Sequence, residues 1–334
     1  MMASSAPRVD AVVNAVGAGA HGPVTLKSLA AARRSAQVPG QDAVVVRDLE
    51  DEEIAEGATR CGIRVCLLAP RAPRTPGAAR NLGSYGMEAE YLLFLDGDIV
   101  LEEGFLGRAV AHLESDSQCA AFGGRLDERH WIEGRQVGGA GDLYQVRAGG
   151  PTLVLGALWV CRRSAFEEVG RFDPDLPSEE DFELSLRLRL AGYTLWAEAR
   201  LAGYHDCAPR PSFRELGRRW RSGLYAGQGL ALRKYWGRPG FGELVARQRF
   251  FLAAFAVWTV GLVALGAALA GKPQALVAWT ALVLAAWLLM SLRKRSPRLG
   301  LMSLLTWSVQ GLALVRSLVF GPWGEMATSR GADL

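Results

Sequence analysis

The sequence has few of the residues that build disulfide-stapled or metal-clamped small domains. Its 334 residues include only five cysteines, an odd number without a CxxC pair, and only four histidines. This composition supports neither a disulfide framework nor a zinc cluster, and it is typical of reduced thiols in the cytosol. The first thirty residues also lack a basic segment followed by a long apolar run, so no signal peptide is predicted. We therefore expect the N-terminal part to stay in the cytosol.

A strong excess of one charge is also missing. The chain has 38 basic and 34 acidic residues, a net charge of +4, which is too small to indicate a nucleic-acid partner without a localised patch. Only four of the basic residues are lysine, a bias that indicates GC-rich codon usage. With 50% hydrophobic and 22% charged residues, a disordered tail, a collagen-like repeat and a coiled-coil rod are excluded.

Charged residues become rare after position 249, which indicates a membrane region. Two apolar runs, Phe250 to Ala270 and Ala275 to Leu292, have 21 and 18 residues. About 20 residues are needed to cross a hydrocarbon core, so both are predicted spans joined by a short hairpin tip. A third run, Leu299 to Val315, contains Gln310 and is either a polar-interrupted span or a helix in the interface. We favour a span.

Basic residues flank the first two runs on their outer ends. They are Arg233, Lys234, Arg238, Arg247 and Arg249 before the first run, and Arg293, Lys294, Arg295 and Arg298 after the second. The positive-inside rule then places both flanks in the cytoplasm, at a bacterial inner membrane.

A basic, aromatic stretch precedes the spans. Between Phe213 and Trp236, arginines alternate with apolar residues at spacings of three and four. This pattern predicts an amphipathic helix on the anionic inner leaflet, or else a solvated basic helix packed on its own domain. No nucleic-acid motif accompanies the patch, so no nucleic-acid partner is expected.

The first 200 residues alternate between strand and helix patterns. The predicted strands are Val9 to Val16, Asp42 to Val46, Arg64 to Leu68 and Tyr91 to Leu95, and the predicted helices between them are Thr25 to Arg34, Glu50 to Cys61 and about Pro76 to Met87. Short apolar strands alternating with helices predict an α/β fold with a mostly parallel sheet flanked by helices. Ligands of such sheets sit beyond the carboxyl ends of the strands.

The most informative segment runs from Tyr91 to Asp98. It is a buried strand that ends in two carboxylates, Asp96 and Asp98, separated by Gly97. Clustered carboxylate oxygens are what a hard divalent cation bound to a diphosphate needs, and glycine lets a ligand approach the backbone closely. A DxD alone is a weak signal, but the preceding strand strengthens it.

Several motifs occur in an order that resembles the family 2 glycosyltransferases, inverting enzymes with the GT-A nucleotide-diphosphosugar fold. The matching features are Asp48 after the second strand, Pro76-Gly-Ala-Ala-Arg80-Asn81-Leu-Gly83, Phe94-Leu-Asp96-Gly-Asp98, Gly156 to Asp173, Glu179-Glu180-Asp181, Arg187, Gly192-Tyr193 and His205. The resemblance covers about residues 9 to 220.

The resemblance implies roles for individual residues. Asp48 would contact the base or ribose of the nucleotide, and Arg80 and Asn81 would line the donor site. Asp96 and Asp98 would hold the nucleotide and its Mg²⁺ or Mn²⁺. The Glu180-Asp181 pair would supply the general base, with Asp181 favoured, and His205 is a further candidate for the metal or the diphosphate. The donor is expected to be a UDP-sugar.

These roles also have a chemical basis. Displacing a nucleoside diphosphate builds negative charge on the leaving phosphates, which a bound cation offsets. An attacking hydroxyl needs a nearby carboxylate to take its proton. Asp181 also has a structural interpretation, because Ser178 followed three residues later by Asp181 could form a capping box for a helix that ends at Gly192. Both interpretations can hold together.

Three features depart from the family pattern. Gly17, Gly19 and Gly22 form a GxGxxG, which would be a dinucleotide fingerprint of an NAD(P)-dependent oxidoreductase. Arg219-Trp220 resembles the end of the QxxRW motif of processive synthases, but Leu216 stands where glutamine would be. Arg47 replaces the first acid of an Asp-Asp pair, so nucleotide identity is open.

The sequence therefore predicts a membrane-bound, non-processive glycosyltransferase that acts on a lipid-linked or membrane-proximal glycan, with contributions from Arg219 and Trp220 at the acceptor or interface. A non-catalytic membrane scaffold with the same fold is the alternative. The expected parts are a cytosolic GT-A domain (1–212), a basic interface segment (213–249), a membrane domain of two to three helices (250–320) and a tail (321–334).

Overall fold

The computed structural model describes residues 7–16, 21–46, 52–69, 72–142, 144–209 and 212–324. The chain divides into two compact units, of which the first comprises residues 1–175 and 179–209 and the second comprises residues 176–178 and 210–334. The predicted boundaries at 212, 249 and 320 stay predictions.

The first unit is an α/β structure. Its strands are β1 (Val9–Asn14), β2 (Asp42–Val46), β3 (Arg64–Leu67), β4 (Tyr91–Asp96), β5 (Ile99–Leu101), β6 (Cys119–Ile132), β7 (Arg135–Ala140), β8 (Gly150–Pro151), β9 (Leu158–Arg162) and β10 (Thr194–Cys207). Its helices are α1 (Gly22–Ala36), α2 (Glu52–Arg60), α3 (Pro76–Ser84), α4 (Phe105–Ser115), α5 (Arg163–Glu168) and α6 (Glu180–Leu190). The predicted strands and helices of the first 95 residues are all present, with ends that differ by a few residues.

One sheet holds all ten strands, eight of them in the order β3-β2-β1-β4-β9-β6-β10-β5, while β7 pairs with β6 and β8 with β10. Strands β3, β2, β1 and β4 are parallel, as predicted. Beyond β4 the sheet is mixed, because β9 runs antiparallel to β4 and β6, and β5 runs antiparallel to β10. The α/β fold class is confirmed, with more antiparallel pairing than the sequence predicts.

The buried strand β1 faces a different hydrophobic cluster on each side of the sheet. Ala11 and Val13 belong to one cluster, and Val12 to the other. Asp10 is a fully buried polar residue in this strand. Its carboxylate accepts hydrogen bonds from the backbone N–H groups of Gln41, Glu88 and Ala89 at 2.8, 3.1 and 3.0 Å. It therefore satisfies backbone groups at the edge of the core.

The second unit is helical. Its helices are α7 (Phe213–Ser222), α8 (Ala226–Lys234), α9 (Phe241–Arg247), α10 (Arg249–Leu269), α11 (Gln274–Lys294) and α12 (Pro297–Phe320). Three of them, α10, α11 and α12, are long and apolar enough to cross a membrane. The two predicted runs coincide with α10 and α11, and the third run lies within α12.

Gln310, the polar residue in the third run, has a partner inside the second unit. The Nε2 of Gln228 on α8 donates a hydrogen bond to its Oε1 at 2.6 Å. Helices α8 and α12 approach closely here, because a Cβ atom on Gly229 would lie 2.1 Å from the carbonyl oxygen of Leu314. The glutamine thus marks a helix–helix contact.

The predicted amphipathic helix from Phe213 to Trp236 is wrong as one continuous element. It begins as expected, with the Ser212 hydroxyl accepting from the backbone N–H of Glu215 at 3.1 Å. It ends at Gly223, which has a left-handed φ of 81°. A glycine in this conformation terminates a helix readily, so the segment forms α7 and then α8.

Gly83 is required where α3 packs on the sheet. A Cβ atom at this position would lie 2.4 Å from Cγ1 of Val12 and 2.9 Å from Cγ2 of Val45. We expect Gly83→Ala to lower the free energy of unfolding by about 1–3 kcal/mol through overpacking. The measurement is the melting temperature of the detergent-solubilised chain.

Gly57→Ala is the matched control. Gly57 lies inside α2, and a methyl group added to it would have no atom of the described residues within 4 Å. Alanine should raise stability there by about 0.5–1 kcal/mol. Equal melting temperatures for the two variants would contradict the packing argument.

Candidate functional site

The DxD segment sits in a turn whose backbone is fixed by three hydrogen bonds. Asp96 ends β4, and its backbone N–H donates to the carbonyl of Ala157 at 3.1 Å. The N–H of Gly97 donates to the carbonyl of Asn14 at 2.8 Å. The buried Thr25 hydroxyl on α1 donates to the carbonyl of Gly97, also at 2.8 Å. The two carboxylates therefore leave a rigid turn at the carboxyl end of a central strand.

Arg80 connects this turn to the Glu180-Asp181 motif. Helix α3 begins with Thr75 as a side-chain cap and Pro76 in its first turn, and it places Arg80 in the interior with 2% exposure. The guanidinium donates to Asp96 at 2.8 Å, to Glu180 at 2.9 Å and to Asp181 at 3.1 Å. Two acid motifs that lie far apart in the sequence thus surround the guanidinium of Arg80.

The electrostatics of this cluster keep Arg80 charged. Burial opposes its charge, but the carboxylates of Asp96, Asp181 and Glu180 outweigh burial and raise the pKa of Arg80 well above its ordinary value. Burial also raises the pKa of Glu180, and the attraction of Arg80 offsets this only in part. The Glu180 side chain is 7% exposed and that of Asp181 is 24% exposed. Of the two acids, Asp181 is the more accessible.

The predicted capping box at Ser178 is wrong. Helix α6 begins at Glu180 after Glu179, which has a left-handed φ of 67° and no side-chain cap bond. The Ser178 hydroxyl instead donates to the carbonyl of Leu224 at 2.7 Å. The predicted end of the helix is correct, since α6 stops at Leu190 and Gly192 follows with a φ of 95°.

His205 lies beside the second carboxylate of the DxD. Strands β5 and β10 pair Ile99 with His205, and this register brings His205 Nε2 to 3.2 Å from Asp98 Oδ2. The backbone N–H of Asp206 also donates to the carbonyl of Asp98 at 2.8 Å. On its other side, His205 Nδ1 is 3.6 Å from Glu128 Oε1. A carboxylate oxygen and an imidazole nitrogen at this separation fit a shared divalent cation.

One predicted donor-site residue, Asn81, stands apart from this cluster. Asn81 uses its amide on the backbone of Phe172, donating to the carbonyl at 2.9 Å and accepting from the N–H at 3.1 Å. Its predicted contact with a donor stays a prediction, and its hydrogen bonds give it a structural role. Asp48 and Arg47 lie outside the described residues.

The glycines of the GxGxxG are described only in part. Gly17 and Gly19 lie outside the described residues. Gly22 opens α1, where a Cβ atom would lie 2.3 Å from the Ile54 side chain. Close packing between α1 and α2 therefore explains this glycine.

Arg219 and Trp220 both belong to α7, in the second unit. The Arg219 Nε donates to Glu215 at 2.6 Å. The Trp220 ring is 5.2 Å from that of Trp323, whose indole N–H donates to the Trp220 carbonyl at 2.8 Å. These contacts tie α7 to the end of the second unit, and the predicted acceptor role stays a prediction.

Tyr144 is a site residue that the sequence analysis missed. Its hydroxyl accepts from the backbone N–H of Ala157 at 3.1 Å and occupies the space where Gly156 would carry a side chain. Burial of the hydroxyl and the charges of Asp181 and Asp96 raise the pKa of Tyr144. The hydroxyl therefore lies within the electrostatic reach of both acid motifs. Gly156 was the only hint in the sequence that something packs there.

Known proteins resemble both the sequence and the fold. The family model described as glycosyl transferase family group 2 matches residues 91–321. The pre-mycofactocin glycosyltransferase of Mycobacterium tuberculosis is 32% identical over 145 residues, which is 39% of this chain and 30% of that relative. The chain thus spans less than a third of the relative's length.

Two solved structures show a similar fold. The mannosyltransferase PcManGT from Pyrobaculum calidifontis, in complex with GDP-Man and Mn²⁺, has a TM-score of 0.61 and 18% identity, covering 95% of this chain and 88% of its own. S. aureus TarS 1-349, in complex with UDP-GlcNAc, has a TM-score of 0.50 and 17% identity, covering 67% and 65%.

The role of Arg80 can be tested by Arg80→Met. Removing one partner of a buried ion-pair cluster leaves uncompensated charges, and we expect a loss of about 3–5 kcal/mol in stability. Without the guanidinium, the attraction that partly offsets burial is lost, and the pKa of Glu180 in the folded state rises further above its unfolded value. Stability is then retained at low pH and lost as pH rises. The fall in melting temperature relative to wild type should be larger near pH 8 than near pH 5.

Arg60→Met is the control, because Arg60 forms an exposed pair with Glu56 on α2 at 3.3 Å. Such pairs contribute about 0–1 kcal/mol. If Arg80→Met behaved like Arg60→Met, or lost more stability in acid, the charge argument would fail.

Proposed function

The chain belongs to the glycosyl transferase family group 2, and we propose that it transfers a sugar, with inversion at the anomeric carbon, from a nucleotide-diphosphate donor to an acceptor at a membrane. One observation carries the proposal for the site. Arg80 holds Asp96 of the DxD and Asp181 of the Glu-Asp motif around one buried guanidinium, so that the donor-binding and proton-accepting acids share one site.

The donor would be held at the end of β4. Asp98 and His205 offer an oxygen and a nitrogen to a divalent cation, and Asp96 and Arg80 form the adjoining wall. When bound, the cation would offset the charge that develops on the leaving diphosphate. A histidine ligand favours Mn²⁺ over Mg²⁺, which prefers oxygen ligands.

Asp181 is the proposed general base. It accepts a hydrogen bond from Arg80, which orients the carboxylate, and it is more exposed than Glu180. The carboxylate of Asp181 would take the proton of the acceptor hydroxyl as that hydroxyl attacks the sugar carbon. Glu180 is a positioning residue in this scheme, since it is buried and acts on Arg80. The Tyr144 hydroxyl would line the same site.

The donor nucleotide is proposed by analogy. The Pyrobaculum mannosyltransferase is described with GDP-Man and TarS with UDP-GlcNAc. Both support a nucleotide-sugar donor, and we favour a UDP-sugar.

The acceptor is proposed from the second unit. Helices α10, α11 and α12 are long and apolar enough for a membrane. They line a partly open apolar cavity of about 220 Å³, to which residues such as Ala254, Val283 and Trp307 contribute. Such a cavity suits a hydrocarbon chain, so we propose a lipid-linked or membrane-proximal glycan acceptor and non-processive transfer. The name of the mycobacterial relative makes pre-mycofactocin the second acceptor to test.

The location follows from charge. Basic residues flank α10 and α11 at the ends remote from their connection. We therefore propose a bacterial inner-membrane protein with the catalytic unit in the cytoplasm.

The two acid motifs predict different defects. Asp98→Asn should weaken Mn²⁺-dependent donor binding and abolish transfer, because it removes a charged cation ligand. Asp181→Asn should leave donor binding near wild type and reduce kcat by about 10²–10⁴-fold, because it removes the proton acceptor. Binding is measured by calorimetry, and transfer by release of nucleoside diphosphate in the presence of lipid extract.

Asp116→Asn is the matched control. Its carboxylate accepts from the backbone N–H of Gln118 at 2.9 Å, outside the acid cluster, and asparagine keeps that acceptor. Full transfer by both site variants would exclude these roles. A wild-type chain that bound donor but transferred nothing to lipid extract or to pre-mycofactocin would instead support the scaffold alternative.

A thermal-shift panel identifies the donor. A ligand that binds only the native state raises the free energy of unfolding, by about 2.7 kcal/mol when its concentration is one hundred times its Kd. The melting temperature rises accordingly. We expect UDP-sugars with Mn²⁺ to shift the wild type more than GDP- or dTDP-sugars, and to shift Asp98→Asn least. A larger shift with a GDP-sugar would overturn the UDP preference.

A further inference from the structure

Four side chains that could ligate a metal ion share one face of the pair formed by β6 and β10. They are Glu128, His130, His205 and Cys207. The parallel register places Glu128 opposite His205, and His130 opposite Cys207. Side chains two residues apart on a strand point to the same face, so these four lie together. The intervening residues of the two strands face the opposite way.

On the opposite face, the charges of Arg129 and Asp206 neutralise each other. Arg129 donates to both oxygens of Asp206, at 2.6 and 2.8 Å. The guanidinium also lies 4.6 Å from the centre of the Tyr204 ring. The alternation of the strands therefore separates a closed ion pair from a cluster of metal-ligating groups.

Three of these groups are close enough to bind one ion. One ligand atom each from Glu128, His130 and Cys207 all lie within 4.8 Å of one another. Glu128 Oε2 is 3.5 Å from His130 Nε2, and Glu128 Oε1 is 3.8 Å from Cys207 Sγ. The Glu128 and His130 side chains are 11% and 18% exposed. The buried Nε2 of His130 has no hydrogen-bond partner among the described residues.

We propose that Glu128, His130 and Cys207 bind a second divalent metal ion, of the Zn²⁺ class, separate from the cation at Asp98. A carboxylate, an imidazole and a thiolate together select a borderline-soft ion that binds nitrogen and sulfur. The Asp98 site offers oxygen and one imidazole and has no thiolate, so it suits a harder ion. The two sites therefore differ in chemistry.

The neighbouring His205 does not account for this cluster. Glu128 Oε1 faces His205 Nδ1 at 3.6 Å and would orient that imidazole toward Asp98, an arrangement common behind metal-binding histidines. That task needs only one oxygen of Glu128. It leaves unexplained why His130 and Cys207 converge on the same carboxylate. An ion bound there would join the ends of β6 and β10 beside His205.

Cobalt provides a specific readout. Co²⁺ bound to a thiolate gives a near-ultraviolet charge-transfer band, which an ion bound at Asp98 and His205 cannot give. The full-length chain in detergent, stripped of metal, is titrated with Co²⁺ under reducing conditions. We expect one equivalent of thiolate-bound Co²⁺, displaced by Zn²⁺, which binds such sites more tightly, and not by excess Mg²⁺. Absence of the band in the wild type would overturn the proposal.

Four variants test whether the charge-transfer band comes from Co²⁺ bound at Cys207. Cys207→Ser should abolish it, and His130→Gln should weaken Co²⁺ binding at least tenfold. Cys66→Ser, which removes a free thiol on β3, and Asp98→Asn should both retain it. Melting temperatures of the stripped variants check that each is folded. A band that survives Cys207→Ser, or that is lost in Asp98→Asn, would refute a separate site, whatever the outcome of the transfer assays.

Discussion

The buried guanidinium of Arg80 is the interaction on which the candidate site depends. It reaches carboxylates from the end of β4 and from the start of α6, two motifs that lie far apart in the chain. Burying this many charges is costly unless each is paired and hydrogen-bonded. Because the partners of Arg80 are on separate elements, the cluster also fixes the position of α6 relative to the sheet.

The charge balance around Arg80 divides the acids by role. Burial raises the pKa of Glu180, which suits a residue that supports the network rather than one that exchanges protons with a substrate. Asp181 shares the same guanidinium but is more exposed, so it can face a substrate. Asp98 lies in the same turn as Asp96 but pairs with His205, and so the DxD itself is divided between an arginine and a histidine.

Local patterns predicted some elements well and others poorly, for physical reasons. The strand ending in Asp96 was predictable because a run of five apolar residues bounded by polar turn residues is typical of a buried strand. The capping box at Ser178 was wrong because a hydroxyl has several possible partners, and a carbonyl distant in sequence took this one. The helix from 213 to 236 was wrong because apolar periodicity continues across Gly223, whereas the backbone does not.

The sequence alone determined the strands and helices of the first 95 residues, the three long apolar helices and the residues of the acid motifs, since these depend on composition and spacing within short segments. Only the tertiary structure decided which acids share Arg80, that Tyr144 lies near both motifs, and that Glu128, His130 and Cys207 converge. These relations arise from strand register and helix packing between distant segments, and no local pattern carries that information.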